Sequence, residues 1–180
     1  MREVADADRI TRFMRTLADA AEATARVYFT GGATAVLIGW RSSTIDVDIK
    51  IVPEHDRLLR AIPHIKEVLQ INVELACPAD FIPVLPGWED RSPFIASEGH
   101  LFFHHFDLYA QALAKVERSH TQDVADVLEM VRRGLVEPAR AWQYFQAIEP
   151  VLYRFPAVDA RSFRRAAEEV FGQPPDATRG

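Results

Sequence analysis

The stretch Thr44-Ile45-Asp46-Val47-Asp48-Ile49-Lys50-Ile51 alternates polar and apolar residues without a break. Such a run is expected to form a strand with one face in a core, and it places Asp46 and Asp48 together on the other face. Two residues along a strand advance roughly 6.5 Å. The two carboxylates can therefore converge on one divalent ion or bracket two ions about 3.5 to 4 Å apart. Hard oxygen ligands of this kind favour Mg²⁺ or Mn²⁺. Thirteen residues separate Asp46 from the upstream pair Gly31-Gly32, which follows the apolar run Val27-Tyr28-Phe29 and precedes the helix-like run Ala33 to Ile38. A strand-turn-helix junction at two glycines lets backbone N–H groups approach a phosphate closely. Each feature has a plainer explanation alone, a solvated strand face for the aspartates and a tight turn for the glycines. Their combination is far more specific.

On the residues Thr30-Gly31-Gly32-Ala33-Thr34-Ala35, Arg41-Ser42-Ser43-Thr44-Ile45-Asp46-Val47-Asp48 and Leu113-Ala114-Lys115-Val116-Glu117-Arg118 with Asp123 and Asp126, the chain resembles the DNA polymerase beta-like nucleotidyltransferases. Within them it is similar to small bacterial proteins related to the abortive infection type IV toxins. The resemblance spans roughly residues 27 to 135. Gln122 departs from it, since the toxins usually carry a basic residue there. The resemblance implies an α/β or α+β nucleotidyltransferase fold, with a short mixed sheet flanked by helices and a helical C-terminal part. It implies transfer of a nucleoside monophosphate from a nucleoside triphosphate to an acceptor hydroxyl, with Asp46, Asp48 and a third acid holding Mg²⁺ or Mn²⁺. Gly31, Gly32, Arg41, Ser43 and Thr44 are then expected around the triphosphate, and Lys115 is expected on it. Lys115 and Arg118, three apart on one helical face, can both reach one anion. An interhelical salt-bridge set with Asp123 and Asp126 explains the same residues. Toxin kinship further implies an RNA acceptor such as a transfer RNA, or a cognate antitoxin protein as partner, while the residues equally permit a protein hydroxyl or a small molecule as acceptor. A module of the same fold that binds a nucleotide or a partner without turnover is the alternative.

Glu74 is the expected third acid. It lies in Ile71-Asn72-Val73-Glu74-Leu75-Ala76, a second alternating run, among apolar neighbours where a buried unpaired carboxylate is costly. Asp80, Glu89 and Asp90 fall in an irregular stretch, where geometry is less well fixed. His100, His104 and His105 suggest zinc, but the phenylalanine-rich run around them reads better as a short strand, and no cysteine cluster accompanies it.

At 180 residues, 48% of them hydrophobic, the chain has enough material for one compact domain with a sizeable core. Residues 1–106 are expected to form the catalytic core, 107–172 a helical part packed on it, and 173–180 a flexible tail. The formal charge of −5 argues against a general nucleic-acid binder. Basic residues gather late, from Lys115 to Arg165, as would suit a local groove for triphosphate or RNA. A single cysteine, Cys77, excludes an internal disulfide, and neither a leader nor a membrane-spanning segment is expected. A cytoplasmic protein is expected.

Helices are expected over about 5 to 25, 33 to 39, 108 to 118, from an N-cap at Thr121 to Arg133, 141 to 148, and 159 to 171. A further helix around Leu58 to Leu69 is expected to end or kink at Pro63. Residues 78 to 99 are expected to be a loop.

Overall fold

The computed structural model describes residues 3–172. The expected tail at 173–180 lies outside the described residues. The chain divides into two compact units, one of residues 1–77 and 92–106, the other of residues 78–91 and 107–180.

The first unit is a five-stranded mixed sheet with helices against it. In chain order it holds α1 (Ala7–Ala20), β1 (Ala25–Thr30), α2 (Gly32–Ile38), β2 (Asp46–Val52), α3 (Asp56–Leu69), β3 (Asn72–Leu75), β4 (Phe94–Glu98) and β5 (Leu101–His105). The strands lie in the order β3-β2-β1-β5-β4. β1 runs antiparallel to β2 and parallel to β5, β2 parallel to β3, and β4 antiparallel to β5. Alternation decides the faces. Val47, Ile49 and Ile51 are buried with Val27, Phe29 and Phe103 against Phe13 and Leu17 of α1 and Leu58, Ile62 and Ile65 of α3. The opposite face presents register rows read across the strands: Tyr28, Lys50 and His104, then Thr30, Asp48 and Glu74, then Asp46 and Asn72. Tyr28 is buried there, stacked on His104 and edge-on to Phe106.

α3 runs through Pro63 rather than ending there. The buried stripe of Leu58, Ile62, Ile65 and Leu69 holds the helix together, and this packing outweighs the local cost of a missing N–H. α1 is shorter than expected. Asp6 caps it by accepting from the Arg9 N–H, while Ala5 bridges to Thr44 outside the helix.

The second unit is helical: α4 (Trp88–Arg91), α5 (Leu108–Arg118), α6 (Thr121–Arg132), α7 (Pro138–Ile148) and α8 (Ala160–Phe171). Trp142 and Phe145 of α7 and Phe163 of α8 are buried, with Phe163 edge-on to Phe145. Asp107 caps α5 through the Tyr109 N–H and takes a two-pronged bond from Arg91. His120, not Thr121, occupies the cap position of α6, and its side chain makes no capping bond. The stretch expected as a loop is more ordered than that. It contains a 3-10 turn at Pro78–Asp80, the single turn α4, and β4.

Candidate functional site

Asp46 and Asp48 share the half-buried face of β2, as alternation requires. Parallel pairing with β3 sets Asn72 beside Asp46 and Glu74 beside Asp48, and antiparallel pairing with β1 sets Thr30 on the other side of Asp48. Three strands thus bring Thr30, Asp48 and Glu74 into one row. Glu74 is exposed on the short edge strand β3. Asn72, which the sequence reading passed over, ties the acids together. Its Nδ2 donates to Asp46 Oδ1 at 2.7 Å and to Glu74 Oε1 at 2.9 Å. Its shared parity with Glu74 was visible in the alternating run, but its proximity to Asp46 was not.

The glycine turn abuts the same face. Gly31 has φ +65°, a left-handed conformation that glycine adopts without strain, and a side-chain carbon there would sit 3.4 Å from Asp48 Oδ2. The backbone of the turn is therefore in direct reach of the carboxylate. Gly32 answers to a different demand. A side-chain carbon at 32 would run into Thr44, 2.7 Å from its Cβ, and would lie 3.1 Å from an Arg41 guanidinium nitrogen. Thr44 is buried, and its hydroxyl donates to the Asp46 carbonyl at 3.0 Å. Gly32 is thus fixed by packing against Thr44, with Arg41 beside it. Ser43 is half-buried in the bend before β2.

Behind the turn, the Thr34 hydroxyl donates to the Phe29 carbonyl at 3.3 Å and lies 3.0 Å from His105 Nδ1. His105 is buried, and desolvation, with a smaller contribution from the charge of His104, pulls its pKa down to about 4. It is neutral near pH 7, a packing and hydrogen-bonding residue of β5. His104 Nδ1 lies 3.1 Å from the Ser92 carbonyl oxygen.

Lys115 and Arg118 belong to the helical unit, where both are engaged. Lys115 is buried, with Nζ 2.9 Å from Asp126 Oδ2 and 3.6 Å from Asp123 Oδ1. Arg118 grips both oxygens of Asp123, through Nε at 2.8 Å and Nη2 at 2.6 Å. Burial works to raise the Asp123 pKa, but the Arg118 bonds and the charges of Arg118 and Lys115 together bring it below the usual value. Gln122 donates to Asp126 Oδ1 at 3.2 Å, so the residue that departs from the toxin pattern completes this network.

Among the described residues, no three histidine, cysteine, aspartate or glutamate side chains are gathered closely enough to hold an ion between them. None of the helices among those residues is long and apolar enough to cross a membrane.

Comparison with curated proteins and with solved structures returns no match. Residues 7–148, from the start of α1 to the end of α7, match a family described as a nucleotidyltransferase of unknown function (DUF6036). The matched span carries Gly31, Gly32, Asp46, Asp48, Asn72, Glu74, Lys115 and Arg118 and stops before α8. With the greater part of the chain inside that match, and with a mixed five-stranded sheet that sets two aspartates beside a glycine turn, the protein belongs to this nucleotidyltransferase family.

Proposed function

We propose that the protein transfers a nucleoside monophosphate from a nucleoside triphosphate to an acceptor hydroxyl, with Mg²⁺ or Mn²⁺ as cofactor. The observation that carries this reading is the placement of Asp46 and Asp48 on one face of β2 with the side-chain-free backbone of Gly31 against Asp48. The donor set fits the ion. Mg²⁺ is commonly held by one or two carboxylates together with substrate phosphates rather than by an all-protein cage. When bound, it would neutralise charge on the phosphates and so assist departure of pyrophosphate.

The remaining chemistry falls to the chain. Asp46 and Asp48 supply the anionic oxygens. The bare backbone at Gly31 leaves room for a phosphate beside Asp48. The phosphate lies at the Gly31–Gly32 turn, while Arg41, Ser43 and Thr44 shape the turn around it. The acceptor oxygen forms a bond to the α-phosphorus, the bridging bond to the β-phosphate breaks, and pyrophosphate leaves. Glu74, exposed at the end of the Thr30–Asp48–Glu74 row, takes the acceptor proton. Any contact of Lys115 and Arg118 with the triphosphate competes with their bonds to Asp126 and Asp123.

The acceptor class that toxin resemblance favours is an RNA 3′ end, a transfer RNA among them, with an antitoxin as protein partner. Mass spectrometry after incubation with each nucleotide, Mg²⁺, RNA and protein tests it: the acceptor should gain one nucleotide residue and pyrophosphate should accumulate. Nucleotide binding with no transfer to any acceptor would instead identify a non-catalytic module.

A further inference from the structure

An amide nitrogen carries two hydrogens, and Asn72 spends one on each of two acids. It stands directly across from Asp46 in the parallel register and two residues before Glu74 on the same face of β3. Its Nδ2 lies 2.7 Å from Asp46 Oδ1 and 2.9 Å from Glu74 Oε1. The two bonds have different effects. The bond to Asp46 crosses between strands and fixes that carboxylate on β2. The bond to Glu74 runs along β3 and draws the Glu74 carboxylate toward Asn72, although the register partner of Glu74 is Asp48. Three acids therefore share a face without converging, in keeping with the lack of a gathered three-ligand group among the described residues.

We infer that Asn72 is a positioning residue that holds Asp46 ready and keeps Glu74 from acting as a third ligand, so that the site takes its divalent ion together with the triphosphate rather than before it. This inference rests on the nucleotidyl-transfer reading of the site. An aspartate at 72 would remove the donor, add a third anionic oxygen beside Asp46 and release Glu74. An alanine would remove the clamp and add nothing.

Mn²⁺ binding, followed by the electron paramagnetic resonance signal of the free ion, tests this without recourse to activity. Wild-type protein should bind Mn²⁺ weakly alone and tightly with a non-hydrolysable nucleoside triphosphate. Asn72→Asp, nearly the same size as the native residue, should bind Mn²⁺ alone about 10-fold or more tightly than wild type, and Asn72→Ala should lose about 10-fold in the presence of the triphosphate, the scale on which partners of metal ligands act. If wild type holds Mn²⁺ with the triphosphate but both variants match it in each condition, the role of Asn72 is overturned and the transfer reading stands. If wild type holds no Mn²⁺ even with the triphosphate, both fall together.

Discussion

The side chain of Thr44 fills the space into which any side chain on residue 32 would grow. Gly32→Ala should therefore lower stability by about 1 to 3 kcal/mol, the usual cost of forcing a methyl group into a packed place. Thr44→Gly removes the obstructing atoms, so the double variant should lose less than the sum of the single losses. Urea unfolding of the four proteins measures that coupling. Strict additivity would show that Gly32 is required for something other than room.

Asp46→Asn and Asp48→Asn keep the shape of half-buried side chains on a strand face, and each should leave folding within about 1 kcal/mol of wild type. Each should lower transfer by about 10²-fold or more, through loss of an anionic ligand. Glu74→Gln should retain nucleotide affinity while transfer falls on a similar scale, as for loss of a positioned base. Single-turnover transfer and nucleotide affinity measured on the same preparations decide each case. Full transfer at saturating Mg²⁺ in either aspartate variant would dismiss the site.

How far the site could be read from sequence follows from which constraints are local. Alternation alone puts Asp46, Asp48 and Lys50 opposite Val47, Ile49 and Ile51, because strand parity needs no knowledge of partners. The capping of α5 by Asp107 is local in the same way, since an aspartate directly before a helical run is a preferred cap. β4 was not: Phe94 to Glu98 lies at the sheet edge, shows no clean alternation of burial, and breaks register with β5 between Phe94 and Ala96. The bond from Asn72 to Asp46 arises from the pairing of strands separated by all of α3, which nothing in either run announces. The fit of Gly32 against Thr44 is tertiary, so neither run announces it. Lys115 fitted both an anion site and an ion-pair network by spacing, and its partners are now seen to be Asp126 and Asp123.

His105 makes stability depend on mild acid. Its folded pKa of about 4 lies below the ordinary histidine value, so the neutral form favours the fold. That contribution is complete above about pH 6.5 and is lost as pH falls toward about 4, for a loss of about 2 to 3 kcal/mol between about pH 7 and about pH 4.5. Asp123, held below the usual carboxylate value, loses its contribution at lower pH still. Urea unfolding across this window should show a steep decline in wild type and a flatter one in His105→Asn. Equal slopes would assign the acid sensitivity elsewhere.

Lys115 and Arg118 should separate cleanly. Lys115→Met leaves Asp126 and Asp123, both buried, without their buried cation, and should cost about 3 to 5 kcal/mol. The Arg118 side chain is 58% exposed, and Arg118→Ala should cost only about 1 kcal/mol. Thermal or urea unfolding checks the difference. A Lys115→Met protein as stable as wild type, but deficient in nucleotide binding, would return Lys115 to the triphosphate.

The central place of β1 also sets an order of assembly. β1 and β2 are joined through α2 and a short bend, whereas β5 reaches β1 only after the chain has left the sheet to build residues 78–91 of the other unit. Ring closure is entropically cheaper for the shorter segment, and nearby pairings form faster than distant ones. On a ribosome, β1, which leads into Gly31, and β2, which bears Asp46 and Asp48, can pair while β5 is still unsynthesised. The half of the sheet that carries the acids can thus pair before His104, His105 and the edge strand β4 are added to it.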